Sequence, residues 1–157
     1  MTDHARFMRR AIELAAEHSA NGEGGPFGAV VVLNGEIIGE GWNQVVATND
    51  PTAHAEMVAI RAACLALGRF SLEGADLYTS CEPCPMCLAG IYWARLNHIY
   101  YANDRAGAAA IGFDDADLYA EVALPPDQRR LPMTRILPAE AAKGFAAWLR
   151  KTDRVLY

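Results

Sequence analysis

Three cysteines, one histidine and one glutamate are the side chains best suited to chemistry in this sequence. Cys81, Cys84 and Cys87 fall within seven residues, and His54 precedes Glu56 by two positions. Two thiolates and one imidazole commonly hold zinc with one coordination position left open. A carboxylate beside that open position can carry protons. The pattern therefore favours an open zinc site over a disulfide, since cysteines this close together give poor geometry for a disulfide framework.

The choice among the three cysteines depends on where each lies in its predicted element. Cys84 and Cys87 belong to the first turn of a predicted helix, where free N–H groups and the positive end of the helix dipole favour thiolates. Cys81 ends a predicted strand beside Glu82, whose charge makes that thiol harder to ionise. We therefore predict His54, Cys84 and Cys87 as metal ligands and Cys81 as a neighbour in the wall of the site.

Two other interpretations of the cysteines remain open from the sequence. A thioredoxin-like redox pair also has a Cys-x-x-Cys motif at a helix start, but it needs no upstream His-x-Glu. A structural zinc site would prefer four protein ligands, and Cys81 is the obvious fourth. Cys64 lies in an apolar stretch and is predicted to be a buried structural thiol.

The spacing of His54 and Glu56 restricts the backbone around them. Residues two apart on a regular helix point about 200° away from each other, so they could not reach one centre from a helix interior. Both must lie in an irregular first turn. Pro51 supports this prediction, because it fixes the chain just before the periodic apolar pattern begins.

The elements that position these residues alternate between helices and strands. Apolar periodicity predicts helices over 3–18, 53–67, 84–94 and 139–150, and strands over 27–33, 36–41, 75–80, 98–102 and 133–137. A tight Asn34-Gly35 turn joins the first two strands, and a polar loop is expected over 43–52. This order predicts an α/β domain with helices on both faces of a sheet that opens with an antiparallel hairpin.

Length and composition indicate a single globular domain. The chain has 157 residues, of which 52% are hydrophobic, and no apolar run approaches the roughly 18 residues that a membrane span needs. We therefore expect a soluble cytoplasmic protein without a membrane partner. The net charge of −5 disfavours general nucleic-acid binding, although residues 127–157 carry seven basic and three acidic side chains.

The two chemical motifs together carry a family resemblance. His-Ala-Glu at 54–56, followed by Pro-Cys-Pro-Met-Cys at 83–87, resembles the signature of the zinc-dependent, cytidine-deaminase-like nucleobase deaminases. The likeness to the guanine-deaminating branch of that family extends over nearly the whole chain. The residues that carry it lie at 24–30, 49–56, 78–87, 91–95, 112–115 and Tyr157.

The resemblance implies a fold, a reaction and an assembly. The expected fold is a three-layer α/β/α domain around a mixed sheet of about five strands, with one zinc ion per subunit. The expected reaction is hydrolytic deamination of guanine to xanthine and ammonia, by water that the zinc activates. A homodimer is expected within the single domain 1–157, with a C-terminal segment of about 131–157 exchanged so that Tyr157 closes the partner's pocket.

The resemblance also assigns roles to individual residues. Glu56 would move protons between water and substrate, and Asp115 would recognise guanine and assist proton transfer. Asp114, its neighbour, could instead cap the following helix. The other implied substrate-binding residues are Phe27, Asn43, Ala55, Trp93 and Tyr157. Judged by residue type alone, the two aromatic residues Phe27 and Trp93 could equally be core, and Asn43 could cap a loop.

Alternative functions use the same zinc site. The substrate could be guanosine, cytosine or adenosine in tRNA, and the basic C-terminal region is the feature that favours tRNA. A function from a different class is a non-catalytic zinc-stabilised binding module. Glu56 argues against that module, because a structural site needs four filled positions and no proton carrier.

Overall fold

The structure, a computed structural model, describes residues 3–157, in which helices and strands alternate. The helices are α1 (His4–Ala20), α2 (Val45–Thr48), α3 (Ala55–Leu67), α4 (Pro85–Trp93), α5 (Arg105–Ala110), α6 (Ala116–Ala123) and α7 (Pro138–Arg150). The strands are β1 (Gly28–Leu33), β2 (Glu36–Trp42), β3 (Asp76–Cys81) and β4 (His98–Asn103), and one 3-10 turn covers Pro126–Gln128. Within residues 3–157, none of these helices combines the length and the apolar character needed to cross a membrane.

The four strands form one mixed sheet in the order β2-β1-β3-β4. β1 pairs antiparallel with both β2 and β3, whereas β3 and β4 are parallel. The predicted hairpin between β1 and β2 is confirmed, since Asn34 and Gly35 have φ angles of 52° and 81°. Two successive positive φ angles are typical of a tight type I′ turn.

Helices cover both faces of the sheet, so the predicted three-layer arrangement is confirmed. α1 packs on the face that carries Val30 and Val32, while α3 and α4 pack on the face of Ala29 and Val31. Adjacent residues of β1 point to opposite faces, and both sets are buried because the strand has a helical layer on each side.

A glycine on β2 lets the start of α3 lie directly on the sheet. A Cβ atom on Gly41 would lie 2.3 Å from the carbonyl oxygen of Ala55, the first residue of α3. A side chain at position 41 would therefore push the helix away from the strand. The close approach fixes the position of His54, which immediately precedes Ala55, relative to the sheet.

The expectation of about five strands is wrong for the described chain, which has four. Residues 133–137, predicted as a strand, are irregular and exposed. A strand needs a neighbouring edge to pair its backbone groups, and in residues 3–157 the outer edge of β4 has no such partner. The sequence pattern missed two helices, α2 inside the predicted polar loop and α5, and it anticipated α6 only as the helix that Asp114 could cap.

The C-terminal arm, which we define as residues 124–157, buries little of its apolar surface. Its large exposed side chains are Leu131, Met133, Ile136, Leu137, Phe145, Trp148, Leu149, Val155, Leu156 and Tyr157. α7 within this arm is amphipathic in sequence but buries no residue. Within residues 3–157, the apolar side chains of α7 are therefore left uncovered.

Candidate active site

The candidate metal donors come from the N-termini of two helices. His54 occupies the N-cap of α3 with extended backbone angles, φ −71° and ψ 156°. Cys84 occupies the N-cap of α4 with φ −68° and ψ 169°, and Pro85 follows as the first helical residue. Pro is favoured at this position because its fixed φ suits a helix and no N–H bond is lost there. Cys87 lies one turn into α4 and is buried.

The three donor atoms have the separations expected around one tetrahedral metal ion. The Nδ1 atom of His54 lies 3.6 Å from Sγ of Cys84 and 3.5 Å from Sγ of Cys87. Zinc bonds of ordinary length at a tetrahedral angle place nitrogen and sulfur donors about 3.6 Å apart. The three ligand atoms all lie within 4.8 Å of one another. The predicted donor set is thus assembled, and it fits zinc.

The pKa of one donor, the thiol of Cys84, is shifted towards the thiolate form that binds a metal cation. The hydrogen bond with Cys87, aided by His54, lowers the pKa of the Cys84 thiol to about 4. The same thiol pair raises the pKa of Cys87, and the bond to Cys84 raises the pKa of His54. Cys84 therefore favours the thiolate form that binds a metal ion, and a metal ion would displace the proton of the Cys87 thiol on binding.

Cys81 lies outside the donor set, as the sequence predicted. It ends β3, lines the cavity beside the donors and contacts the carbonyl oxygen of Asp104 at 3.8 Å. Burial is the main reason that its pKa is raised, to about 11, and the negative charge of Glu56 adds to the effect. This neutral thiol is a poor metal ligand. Cys64, predicted to be buried, is instead partly exposed near the end of α3.

Glu56 lies in the first turn of α3 with only 6% of its surface exposed. Burial raises the pKa of its carboxyl group, because a charged carboxylate loses its hydration there. A buried carboxyl group next to a water site is a type of side chain that can carry protons in a reaction. The side chain lines the same cavity as His54 and Cys84.

His54, Cys84 and Glu56 line a cavity of about 310 Å³, whereas Cys87 is buried behind them and is not a lining residue. Its other lining residues are Gly25, Phe27, Asn43, Val45, Val46, Pro51, Cys81, Glu82, Ala108, Phe113 and Asp115. Most of the wall is apolar, with a few polar side chains among the lining residues. Cavities of this size and composition are typical of sites for small planar molecules.

Phe27 and Asn43, both predicted from the resemblance, line this cavity. The ring of Phe27 meets that of Phe113 edge to face, with centroids 4.9 Å apart and an interplanar angle of 89°. Asn43 is 6% exposed, and its Oδ1 accepts a hydrogen bond of 3.2 Å from the backbone N–H of Val45. Asn43 therefore caps the loop and also faces the cavity, so the two predicted roles are compatible.

The two neighbouring aspartates differ in their surroundings. Asp114 accepts a 2.9 Å hydrogen bond from the backbone N–H of Ala116, which begins α6, so it has the local capping role that the sequence suggested. Asp115 lines the cavity and makes no capping bond. Burial raises the pKa of Asp115, and the nearby cation of Arg105 opposes that increase. Asp115 is thus the aspartate available to a ligand.

Three predicted substrate-binding residues lie outside the cavity in the single chain. Ala55 is fully buried under β2, while Trp93 and Tyr157 are 64% and 72% exposed. The rings of Trp93 and Tyr157 lie 6.1 Å apart, and Phe70 approaches Tyr157 at 6.2 Å. These aromatic residues form an external group on the same chain, away from the lining side chains of the cavity.

Several lining residues were not identified from sequence. Val45, Val46 and Pro51 come from the region expected to be a polar loop, and Ala108 comes from α5. Phe113 follows Gly112, whose φ of 96° permits the turn that directs the next residues to the cavity. The sequence signal that could have identified Phe113 as a lining residue is its position in the Gly-Phe-Asp-Asp motif at 112–115.

Comparisons with known proteins agree with this geometry. The family model for the cytidine and deoxycytidylate deaminase zinc-binding region matches residues 1–103. The chain is 50% identical to the guanine deaminase of Bacillus subtilis over 155 residues, covering 99% of each protein. It is 44% identical over 110 residues to the tRNA-specific adenosine deaminase of Agrobacterium fabrum, covering 69% of this chain and 72% of that protein.

Solved structures of guanine deaminases are also similar to this chain. The X-ray structure of the Bacillus subtilis guanine deaminase superimposes with a TM-score of 0.95 at 48% identity, covering 99% of each chain. A guanine deaminase from Nitrosomonas europaea gives a TM-score of 0.69 at 30% identity, over 74% of this chain and 67% of that one. The family model covers more than half of the chain, including the region of His54, Cys84 and Cys87, so the chain belongs to the cytidine and deoxycytidylate deaminase zinc-binding family.

Proposed function

We propose that this chain is a zinc-dependent aminohydrolase that converts guanine and water to xanthine and ammonia. The observation that carries the proposal is the position of Glu56, a buried carboxyl group that shares one base-sized cavity with the metal donors His54 and Cys84. A purely structural zinc site would leave that buried carboxyl group without a purpose. The 50% sequence identity with the guanine deaminase of Bacillus subtilis, over 155 residues, supports the choice of substrate.

The reaction needs a nucleophile, a proton carrier and a fixed ring. When bound, zinc supplies Lewis-acid activation of a water molecule. Glu56 would accept one proton of that water and deliver it to N3 of guanine, and it would then carry the second proton of the attacking oxygen to the departing amino group. A C–O bond forms at C2 while the C–N bond at the same carbon breaks, so nitrogen leaves as ammonia. The raised pKa of Glu56 suits it to both proton transfers.

The walls of the cavity supply the fixed ring position. Phe27 and Phe113, at right angles to each other, offer one ring face for stacking and one edge for contact. Asp115 can accept hydrogen bonds from the N1–H and the 2-amino group of guanine, both of which are donors. Asn43 can complete the polar contacts from the opposite loop. Its oxygen already bonds Val45, which holds the side chain in place.

We propose that the working molecule is a homodimer with exchanged C-terminal segments of about 131–157. The apolar side chains of the C-terminal arm and the unpaired edge of β4 each need a partner, and a second copy supplies both. Tyr157 would then close the partner's cavity rather than its own. Its exposure, and the fact that it does not line the cavity of its own chain, support this arrangement.

One alternative substrate has its own support. The tRNA-specific adenosine deaminase of Agrobacterium fabrum aligns with 69% of this chain, and residues 127–157 are rich in basic side chains. If adenosine in tRNA were the substrate, its affinity would fall steeply with salt, because phosphate contacts release counterions. Guanine, an uncharged base, should show little such dependence.

The deciding experiment measures ammonia release by zinc-loaded protein. The substrates are guanine, guanosine, cytosine, adenine and a tRNA anticodon stem, and Glu56→Gln is the matched control because it preserves size while removing the proton carrier. We expect turnover of guanine alone, reduced at least about a hundredfold in Glu56→Gln with zinc content unchanged. Turnover of another substrate would replace guanine, and no turnover of any would support a zinc-stabilised binding module.

A further inference from the structure

A small cluster joins the helix that carries Asp115 to the loop that carries Cys84. Tyr119 lies on α6, Arg105 begins α5, and Glu82 follows the end of β3. Glu82 and Asp115 both line the cavity, whereas Tyr119 is not among its lining residues. None of the three cluster residues belongs to the metal donor set of the described chain, so their contacts have another role.

Tyr119 connects the two functional residues through its backbone and its side chain. Its hydroxyl donates a 2.7 Å hydrogen bond to the carbonyl oxygen of Pro83, which is peptide-bonded to Cys84. Its backbone N–H donates a 3.1 Å hydrogen bond to the carbonyl oxygen of Asp115, one helical turn earlier. Two hydrogen bonds and the intervening covalent bonds therefore link Asp115 to Cys84.

Arg105 and Glu82 restrict the ring of Tyr119. The guanidinium carbon of Arg105 lies 4.3 Å from the ring centroid, within the range of a cation–π contact. Nε of Arg105 lies 3.3 Å from one carboxylate oxygen of Glu82, and the backbone N–H of Arg105 donates to the other at 3.1 Å. With its face covered and its hydroxyl bonded, the Tyr119 side chain has little freedom to move.

The position of Asp115 depends on where α6 lies. Asp115 occupies the N-cap position of α6 without a side-chain capping bond, so its carboxylate is not tied to its own helix. α6 packs on α4, follows the turn at Gly112 and leads into the exposed C-terminal arm. A small rotation of α6 would move the Asp115 carboxylate relative to the donors at the start of α4.

We propose that Tyr119 is a positioning residue that holds Asp115 in register with Cys84 through the carbonyl group of Pro83. This inference rests on the proposed function, in which Asp115 recognises guanine. Tyr119 acts through Asp115 and contacts neither the substrate position nor the metal donors. A substrate-recognising carboxylate must stay within a fraction of an ångström of its working position, so a lost anchor lowers turnover.

Tyr119→Phe is the direct test, because it removes the hydroxyl and keeps the ring under Arg105. We expect kcat/KM for guanine to fall about five- to tenfold, the worth of one hydrogen bond, with zinc content unchanged. Tyr101→Phe is the matched control, since Tyr101 is half exposed on β4, and it should leave kcat/KM unchanged. Loss of zinc in Tyr119→Phe would assign Tyr119 to support of the metal loop and overturn the proposal.

A double-mutant cycle with Asp115→Asn separates positioning from general support. If Tyr119 acts through Asp115, Tyr119→Phe should lower kcat/KM for guanine by less than about twofold when Asp115 is already changed to Asn. The affinity of the four zinc-loaded proteins for xanthine gives the same cycle where turnover is too slow to measure. Equal losses in both backgrounds would show that Tyr119 acts independently of Asp115 and would overturn the proposal.

Amide hydrogen exchange tests the coupling without any substrate. Tyr119→Phe should speed exchange in Ala116–Ala123 and leave Ala55–Leu67 unchanged, because only α6 loses its anchor. Unchanged exchange in α6 would overturn the positioning role whatever the substrate is. Faster exchange in α6, combined with no ammonia release from guanine by the wild-type protein, would reject the proposed function and retain the positioning role.

Discussion

His54 and Glu56 lie two positions apart in sequence, yet both side chains line one cavity. The reason is that His54 is the N-cap of α3, with extended backbone angles, while Glu56 belongs to the first helical turn. On a continuous helix the two would point about 200° apart. The helix boundary between them therefore brings the candidate metal donor and the candidate proton carrier to the same cavity.

The metal site should distinguish Cys84 from Cys81. Cys84→Ser should lower zinc affinity by more than about a hundredfold, because it removes the thiolate of the donor set. Cys81→Ser is the matched control and should retain zinc, since the buried Cys81 thiol stays neutral. Zinc content after dialysis against a competing chelator measures both. Loss of zinc in Cys81→Ser as well would indicate a closed site with four protein ligands.

Asp115 and Asp114 should separate substrate recognition from helix capping. Asp115→Ala should reduce guanine turnover about a hundredfold while retaining zinc, because it removes the carboxylate that lines the cavity. Asp114→Ala should retain turnover and lower the free energy of unfolding by about 0.5–2 kcal/mol, since it removes a cap. Steady-state kinetics and urea unfolding measure the two effects. Unchanged turnover in Asp115→Ala would reject its assignment.

Tyr157 should act on the cavity of the second subunit. Deleting Tyr157 should weaken guanine turnover without unfolding the chain, because its ring is exposed and contributes little to the core. Sedimentation should give the mass of two 17.0 kDa chains for the wild-type and the deletion proteins.

Mixed dimers decide whether Tyr157 acts in the same chain or across the dimer. Chains with Glu56→Gln are refolded together with chains that lack Tyr157. If Tyr157 crosses to its partner, each mixed dimer regains one cavity with both residues, and turnover recovers. If Tyr157 acts on its own chain, neither cavity is complete and turnover stays low. Normal kinetics in the deletion protein would remove Tyr157 from the site.

The Arg10 and Glu40 pair should give a pH-dependent contribution to stability. Nε and Nη2 of Arg10 each donate a 2.8 Å hydrogen bond to the Glu40 carboxylate, and these bonds hold the pKa of Glu40 below its ordinary value of 4.5. A lowered folded-state pKa stabilises the protein above the unfolded value, and this contribution is lost as pH falls through the folded value. Both side chains are about one-third exposed, so the pair contributes only modestly to the free energy of unfolding.

Glu40→Gln should therefore lower the free energy of unfolding by about 0.5–1 kcal/mol at pH 7. The difference from wild type should shrink steadily below pH 4.5, as the carboxylate of the wild-type protein becomes protonated. Urea unfolding of both proteins at pH 7 and pH 3 measures this difference in the free energy of unfolding. A difference that is as large at pH 3 as at pH 7 would show that packing, and not the charge of Glu40, is responsible.

The sequence by itself predicted the candidate donor set, the candidate proton carrier and most of the helices and strands. His54, Glu56, Cys84 and Cys87 could be assigned because their roles depend on helix starts, and helix starts are set by local signals such as Pro85 and apolar periodicity. The hairpin at Asn34-Gly35 is equally local. Interactions between near neighbours in sequence suffice for all of these predictions.

Only the tertiary structure decided what surrounds the donors. Phe113 contacts Phe27, and the hydroxyl of Tyr119 donates a hydrogen bond to the carbonyl oxygen of Pro83. The residues of each pair are far apart in sequence, so no local sequence pattern predicts that they meet. Residues 133–137 have the composition of a strand, but a strand forms only where an edge offers partners for its backbone groups. Long-range packing determines which edges and faces meet, and it therefore determines the walls of the cavity and the course of the C-terminal arm.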